Sequence, residues 1–477
     1  MLRASEVVMG RRFLVGVLAV VLAGCGSALP TPAATPASTE PASPVETAAL
    51  LTSAVASGQP TILPASPPAS LPPSPVAPVE PSPTPLPPLP GTTALVLPRG
   101  TLVTVPLARQ APGSSPEDFA PQPGGPPTGP YVYLGAARSV AGLRHLSVVD
   151  LGGGSVRAVP VPLAPDESLA DVQASGGRLL VLTWLQQGPR PEHEGVPCGS
   201  LSGHPIEWRQ LAASIGADGL PAGSWRTLDS GVASRRYADP SAMVSCDDPL
   251  VPALASSGDV LAYAVDHPTP AYPAGSRIVL RSLATGGVVR VIDTATQVVD
   301  LALSATSVAW VESPNALVPG PVTRWRVMRA PLASGVAAEV PLAVPGRVWR
   351  YAPQRLALDG DAVLANPGQS VVGWASVVRS AGSSVVLLNP SPDLDCAPIG
   401  GVSGVALLSC LEEGYNERIA TWSAGHGLRI VSAPLAADIT SEVVMNGWVT
   451  WRFRPDPEGV QPVLLGVPFA ALVAANR

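Results

Sequence analysis

The residues best able to do chemistry are five cysteines and five histidines in a chain of 477 residues. His145, His193, His204, His267 and His426 include no pair at helical i,i+4 spacing. Only His193, Cys198 and His204 fall close together, and zinc at that cluster would want three or four ligands where no further one is evident. No serine sits in a Gly-x-Ser-x-Gly elbow, so a hydrolase nucleophile has no local support. Asp359-Gly360-Asp361 and Asp393-Leu394-Asp395 bring carboxylates together. Neither matches the twelve-residue calcium loop, and the first reads more simply as a strand-to-strand turn. Gly152-Gly153-Gly154 leads into Ser155-Val156-Arg157-Ala158-Val159, a strand rather than a helix, so it is a hairpin and not a nucleotide loop. We therefore expect no catalytic, metal-binding or cofactor-binding residue.

Cys25 has a different setting. Arg11 and Arg12 precede an apolar run from Phe13 to Ala23, too short to cross a bilayer and of the length of a secretory signal. The stretch Leu22-Ala23-Gly24-Cys25 closes that run and resembles the bacterial lipoprotein signal. The resemblance covers residues 9–25. It implies cleavage before Cys25, lipid on the Cys25 sulfur, and anchoring on the extracytoplasmic face of the plasma membrane or at the outer membrane. With Cys25 so used, Cys198, Cys246, Cys396 and Cys410 remain. An even number outside the cytoplasm suggests two disulfides, with three possible connectivities. Neighbour pairing, Cys198–Cys246 and Cys396–Cys410, is the expected one.

Charge narrows the partners. The formal net charge is −6, and every basic residue is arginine. A mildly acidic chain argues against nucleic acid and against broad electrostatic binding to anionic lipid, which leaves the Cys25 lipid as the link to the bilayer.

These residues must be carried by something that folds, and residues 25–92 will not do so. Positions 30–90 contain 19 prolines, no aromatic residue, and only Glu40, Glu46 and Glu80 as charges. Such a segment cannot bury enough apolar area to offset its ordering entropy. We read it as a disordered tether whose Pro64–Pro90 half favours extended polyproline II, at about 3.1 Å per residue.

From residue 93 the pattern is short apolar runs between Gly, Ser, Asp and Pro turns. Arg178–Trp184, Val260–Val265, Val308–Val311 and Trp448–Trp451 have strand length and composition. The runs repeat. A turn residue before glycine, then a strand, recurs at Ser175-Gly176, Ser257-Gly258, Asp359-Gly360, Ser403-Gly404 and Asn446-Gly447. Four short strands every 40–50 or so residues is the period of a propeller blade. The layout resembles a β-propeller of the TolB-type and WD-repeat-like kind over residues 93–477, without the Gly-His and Trp-Asp signatures. An all-β fold of seven units follows, beginning near residues 131, 170, 253, 300, 355, 402 and 441, with six or eight blades as alternatives. Thr93–Leu107 forms a spare strand pair that could join the last unit and close the ring. The one long step, about residues 186–252, is expected to be an insertion stapled by Cys198–Cys246. Trp208 and Trp225 would lie in it, and Trp184, Trp310, Trp448 and Trp451 between blades.

The resulting expectation is a membrane-anchored extracytoplasmic lipoprotein. Its propeller would serve as a non-catalytic binding or scaffolding module for an envelope protein or glycan. The alternative is a hydrolase or lyase with its site at the central channel.

Overall fold

In the computed structural model the described residues lie between 92 and 476. Outside them fall 108–118, 122–129, 137–144, 187–205, 234–251, 314–324, 369–375, 432–442 and 454–462, with short stretches at 166, 273–274, 350–351, 354, 390–393, 413–415 and 446. The turn residues of the repeat sit where the backbone needs them. Gly176 joins the first two strands of its unit at φ +55°, and a Cβ there would lie 2.4 Å from the carbonyl oxygen of Gly258 in the next unit. Only glycine meets both demands, a left-handed backbone and a close neighbour.

Seven such units form seven sheets, each antiparallel within its unit. Blade 1 is Phe119–Pro121, Tyr131–Ala136, Leu146–Asp150 and Ser155–Val159, and blade 2 is Ser168–Ser175, Arg178–Gln186, Ile206–Ile215 and Pro221–Ala233. Blade 3 is Ala253–Ser257, Val260–Asp266, Ser276–Ser282 and Val288–Asp293, and blade 4 is Gln297–Leu303, Ser307–Ser313, Arg326–Pro331 and Ala338–Glu339. Blade 5 is Leu356–Asp359, Ala362–Ala365, Val378–Ala381 and Ser384–Leu387, and blade 6 starts with Leu394–Val402, Val405–Glu412, Asn416–Ser423 and Gly427–Val431. Blade 7 holds Val443–Met445, Trp448–Phe453 and Val463–Pro468. From blade 2 to blade 7 the first strands pack on one another in succession. The second strand of blade 7 then meets the first of blade 1, and the second of blade 1 meets the first of blade 2. This closed succession is a seven-bladed β-propeller.

Apolar cores lie between blades rather than within them. Leu180, Leu182, Trp184, Trp208, Leu261 and Tyr263 fill the seam of blades 2 and 3. Leu301, Val308 and Trp310 fill the seam of blades 3 and 4. A sheet packed on both faces needs apolar residues on both, so its strands are nearly continuous runs instead of strict alternations. Ser307–Ser313 is buried at every position. Trp310 and Trp451 are among the largest fully buried side chains.

The ring is closed by the N-terminal segment, but not as one strand pair. Val103–Pro106 supplies the fourth strand of blade 7, antiparallel to Val463–Pro468 with Val103 opposite Gly466. Thr93–Leu95 goes instead to blade 6, parallel to its fourth strand with Leu95 opposite Val431. Blade 7 lacked one strand only, so the second was free to cover the neighbouring edge. The crossing puts Leu95, Leu97 and Leu102 into the apolar seam of blades 6 and 7. That seam also receives Phe469, Leu472 and Val473 from a C-terminal helix, Phe469–Ala475. Arg429 donates to the Ala475 carbonyl (3.0 Å) and reaches the Ala94 carbonyl (3.5 Å), so one side chain ties both ends of the propeller.

Blade 2 corrects a second expectation. The stretch 186–252 is not an insertion: Ile206–Ile215 and Pro221–Ala233 are the blade's own third and fourth strands. Their length, up to 13 residues, stretched the repeat. Trp208 accordingly belongs to the blade 2–3 seam, where it meets Tyr263 edge-on at 6.1 Å. Trp225 packs toward blade 1 and donates its indole N–H to Pro160 O (2.9 Å). Cys198 and Cys246 lie outside the described residues.

Cys396 and Cys410 are direct partners on the first two strands of blade 6, bonded as a disulfide with Cα atoms 4.1 Å apart. Both are buried. Two outcomes are expected. Leu95→Ala should cost about 2–5 kcal/mol in denaturant unfolding, as for other fully buried leucines. Replacing both Cys396 and Cys410 with alanine should cost about 3 kcal/mol, the chain-entropy value for a loop of this size. Folded wild type should keep this bond in a reductant that opens it once the protein is unfolded.

Candidate functional site

Strand alternation sorts the connections onto two faces. In blades 2–7 the first and second strands are joined by two or three residues, and in blades 1–6 the third-to-fourth connections never exceed six. The second-to-third and blade-to-blade connections leave from the opposite face. They reach 19 residues at 187–205 and again at 234–252, both in blade 2. Gln186, Ile206 and Ala233 are register partners, so these two connections spring from adjoining strand ends. Long segments on a rigid β scaffold are where binding residues concentrate. The long-connection face, centred on blade 2, is the candidate site.

Buried charge fixes its base. Glu167 stands just ahead of the first strand of blade 2 and is 3% exposed. Its carboxylate accepts Nε of Arg209 (2.7 Å), the N–H of Ala164 (2.7 Å) and the hydroxyl of Thr183. Arg209 further donates to Pro162 O (3.2 Å). Burial pushes the Glu167 carboxyl up, but the bonds from Arg209, Thr183 and Ala164 outweigh it and hold its pKa below the usual value. Blade 4 repeats the device. Buried Glu312 accepts Nε1 of Trp310 (2.8 Å) and Nε of Arg326 (2.8 Å). Asparagines do similar work in blade 5: Asn366 accepts from Arg355 N (2.8 Å), while Asn389 accepts from Val377 N (2.6 Å) and donates to Leu394 O (2.8 Å). These carboxylates have their oxygens engaged by guanidinium groups, so they anchor strand ends rather than transfer protons.

The short-turn face uses its carboxylates to join blades. Asp359 accepts from Arg379 Nη2 (3.0 Å) and from the Gly404 N–H of blade 6 (3.1 Å). Asp361 accepts from the hydroxyls of Thr306 (2.9 Å) and Ser307 (2.8 Å) in blade 4. The bonds from Ser307 and Thr306 hold the Asp361 carboxyl below its usual value. Asp359-Gly360-Asp361 is thus a turn that also fastens blades 4, 5 and 6. Between blades 2 and 3, Tyr263 donates to Asp229, which also takes Nη2 of Arg281 (2.9 Å). Desolvation, then the Asp229 carboxylate, pushes the Tyr263 phenol up to about 12.

Of the cysteines, histidines and carboxylates singled out in the sequence as candidates for metal binding or disulfides, the described residues include one joined pair, Cys396 and Cys410. Cys25, Cys198, Cys246, His193, His204 and Asp393 lie outside the described residues. His145, His267 and His426 belong to blades 1, 3 and 6, and among the described residues no three His, Cys, Asp or Glu side chains are grouped to hold a metal ion. Glu167–Arg209 and Glu312–Arg326 were missed, since partners 42 and 14 residues apart leave no local signature.

No family model and no curated protein matches this sequence. Among solved structures the chain is similar to the β-propeller domain of the Trilobed protease from Pyrococcus furiosus, with 10% identity, a TM-score of 0.45, and coverage of 73% of this chain and 93% of that one. It is also similar to a puromycin-hydrolyzing peptidase from Mycobacterium tuberculosis (16% identity, TM-score 0.41, 75% and 51% covered). TolB from Acinetobacter baumannii matches with 15% identity, a TM-score of 0.31, and 71% and 80% covered. The chain spans about half the length of such full peptidases. These likenesses concern the fold alone.

The base of the candidate face predicts an acid sensitivity. A carboxyl with a lowered folded pKa stabilises the fold fully above its unfolded value of about 4.3, and that contribution is lost as pH falls through the folded pKa. Glu167→Gln should flatten the acid limb of a stability–pH curve. Arg209→Met should cost about 3 kcal/mol at neutral pH, the low end for breaking a buried pair because Arg209 is partly wetted.

Proposed function

We propose that this chain is a lipid-anchored extracytoplasmic protein whose propeller is a non-catalytic binding or scaffolding module for an envelope protein or glycan. The observation that carries this reading is the asymmetry of the ring. The strand ends that bound its longest connections lie at one face, while Glu167, Glu312, Asp359 and Asp361 are bound into fasteners. Groups held in that way are poor general acids or bases, because their lone pairs and protons are committed. A buried Cys396–Cys410 disulfide supports an oxidising compartment, in keeping with the Leu22-Ala23-Gly24-Cys25 signal.

The lipid would hold the membrane through Cys25, and the proline-rich tether would give the propeller reach. The long-connection face of blade 2 would then make the specific contact. Two measurements test this. Cys25→Ala should move the protein from the membrane fraction to the soluble extracytoplasmic fraction with its thermal midpoint unchanged. Retention in the membrane would refute the anchor. In the purified, unlipidated Cys25→Ala protein, replacing 187–205 with a short Gly/Ser turn should abolish co-sedimentation with purified cell envelope without unfolding the ring. Hydrolysis of an envelope substrate, lost on a single Asp, His or Ser substitution, would refute the non-catalytic reading.

A further inference from the structure

The outer edge of blade 6 carries a strand that the ring does not require. Among the described residues the fourth strands of blades 1 to 5 end their sheets, while the fourth strand of blade 6, Gly427–Val431, is paired again with Thr93–Leu95. Val103–Pro106 alone completes blade 7, so closure does not depend on this fifth strand. Nor does the need to hide an apolar edge explain it. The fourth strand of blade 3 keeps Val288, Val289 and Val291 exposed with no described strand beyond it.

The fifth strand is held lightly. Its pairing spans three residues and is parallel, the slightly weaker arrangement per residue. Thr93 is exposed, and the bond from Arg429 to Ala94 O is long at 3.5 Å. Leu95 is the anchor: it is 1% exposed and joins the apolar cluster of Ile419, Val431 and Leu472. Without this strand Arg429 would keep the Ala475 carbonyl, and Phe469, Leu472 and Val473 of the C-terminal helix would stay in the seam. A turn at Pro98–Thr101, closed by Thr101 N–H on Pro98 O (3.2 Å) with Gly100 at φ +76°, separates the strand from Val103–Pro106 and supplies a hinge.

We infer that the outer edge of blade 6 is a binding site for an extended apolar peptide strand, covered in the resting chain by Thr93–Leu95, which peels away without opening the ring. The segment seated there defines what the site takes: a parallel strand, backbone pairing along Arg429–Val431, and a leucine-sized side chain opposite Val431. Strand addition of this kind draws affinity from main-chain bonds and specificity from the pockets of alternate side chains. Short segments with few buried contacts open locally at lower cost than the core. Thr93 follows the proline-rich stretch, so a pull on that stretch loads this pairing first. The site uses none of the long connections of blade 2, so it stands or falls apart from the binding face proposed above.

Two measurements on the purified full chain test this. In native-state hydrogen exchange, the bonded amides of Thr93–Leu95 should exchange through a local opening, at denaturant concentrations where Val405–Glu412 stays protected. Exchange of both segments by global unfolding alone would overturn the inference. A labelled peptide copying residues 92–102 should bind saturably to Leu95→Asp, in which the covering strand is expelled. Wild type should bind it at least about tenfold more weakly, because apparent affinity falls with the fraction of chains whose site is open. The peptide carrying Leu95→Asp should not bind. A folded Leu95→Asp chain that fails to bind the peptide, or binds it no better than wild type, defeats the proposal. Should that variant not fold, the exchange measurement on wild type decides alone.

Discussion

Everything in this fold depends on one strand that arrives from the wrong end of the chain. Blade 7 has only three strands of its own, and Val103–Pro106 completes it. Without that pairing the Val463–Pro468 edge would be open, and the seam between blades 7 and 1 would lose Val105 from its core. Unpaired strand edges invite other chains, and a ring resolves the problem by removing them. Thr93–Leu95 and the C-terminal helix then bury the adjacent seam, with Arg429 reaching both. The segment that emerges from the proline-rich stretch is therefore the same one that closes the propeller.

Seams are also where the charge goes. Asp359, Asp361 and Asp229 cross between blades, while Glu167 and Glu312 hold an arginine within their own sheet. A buried carboxylate is tolerable only when its oxygens are met by donors. Here each described one is met by guanidinium, hydroxyl or backbone N–H. The price in desolvation is returned as register, because a hydrogen bond between blades is satisfied at one offset only. The scaffold thereby becomes stiff on its short-turn face and leaves length to vary on the other.

How much of this could be read beforehand follows from the range of the interactions. Turn glycines such as Gly176 are local, and their spacing revealed the blades. The pairing of Cys396 with Cys410 was legible because both flank a single hairpin. Blade 2 was misread because its third and fourth strands follow a 19-residue connection and carry polar residues such as Arg209, Gln210 and Asp229 among the apolar ones. A strand whose polar side chains find partners on other strands does not look like one in isolation. Trp208 reads as a loop residue for the same reason, though it lies in the core beside Tyr263.

The sequence by itself determined the class of fold and the blade period, since both come from short-range alternation of strand and turn. It also set out the short apolar run ahead of Cys25 and the proline-rich stretch with few charges, which are matters of composition. Only the tertiary structure decided that Thr93–Leu95 and Val103–Pro106 part company and which carboxylates meet which arginines. It alone brought the strand ends that bound the long connections, Gln186, Ile206 and Ala233, side by side. Those outcomes depend on which edges and side chains remain unpaired after the other blades have formed, a property of the assembled ring that no single segment carries.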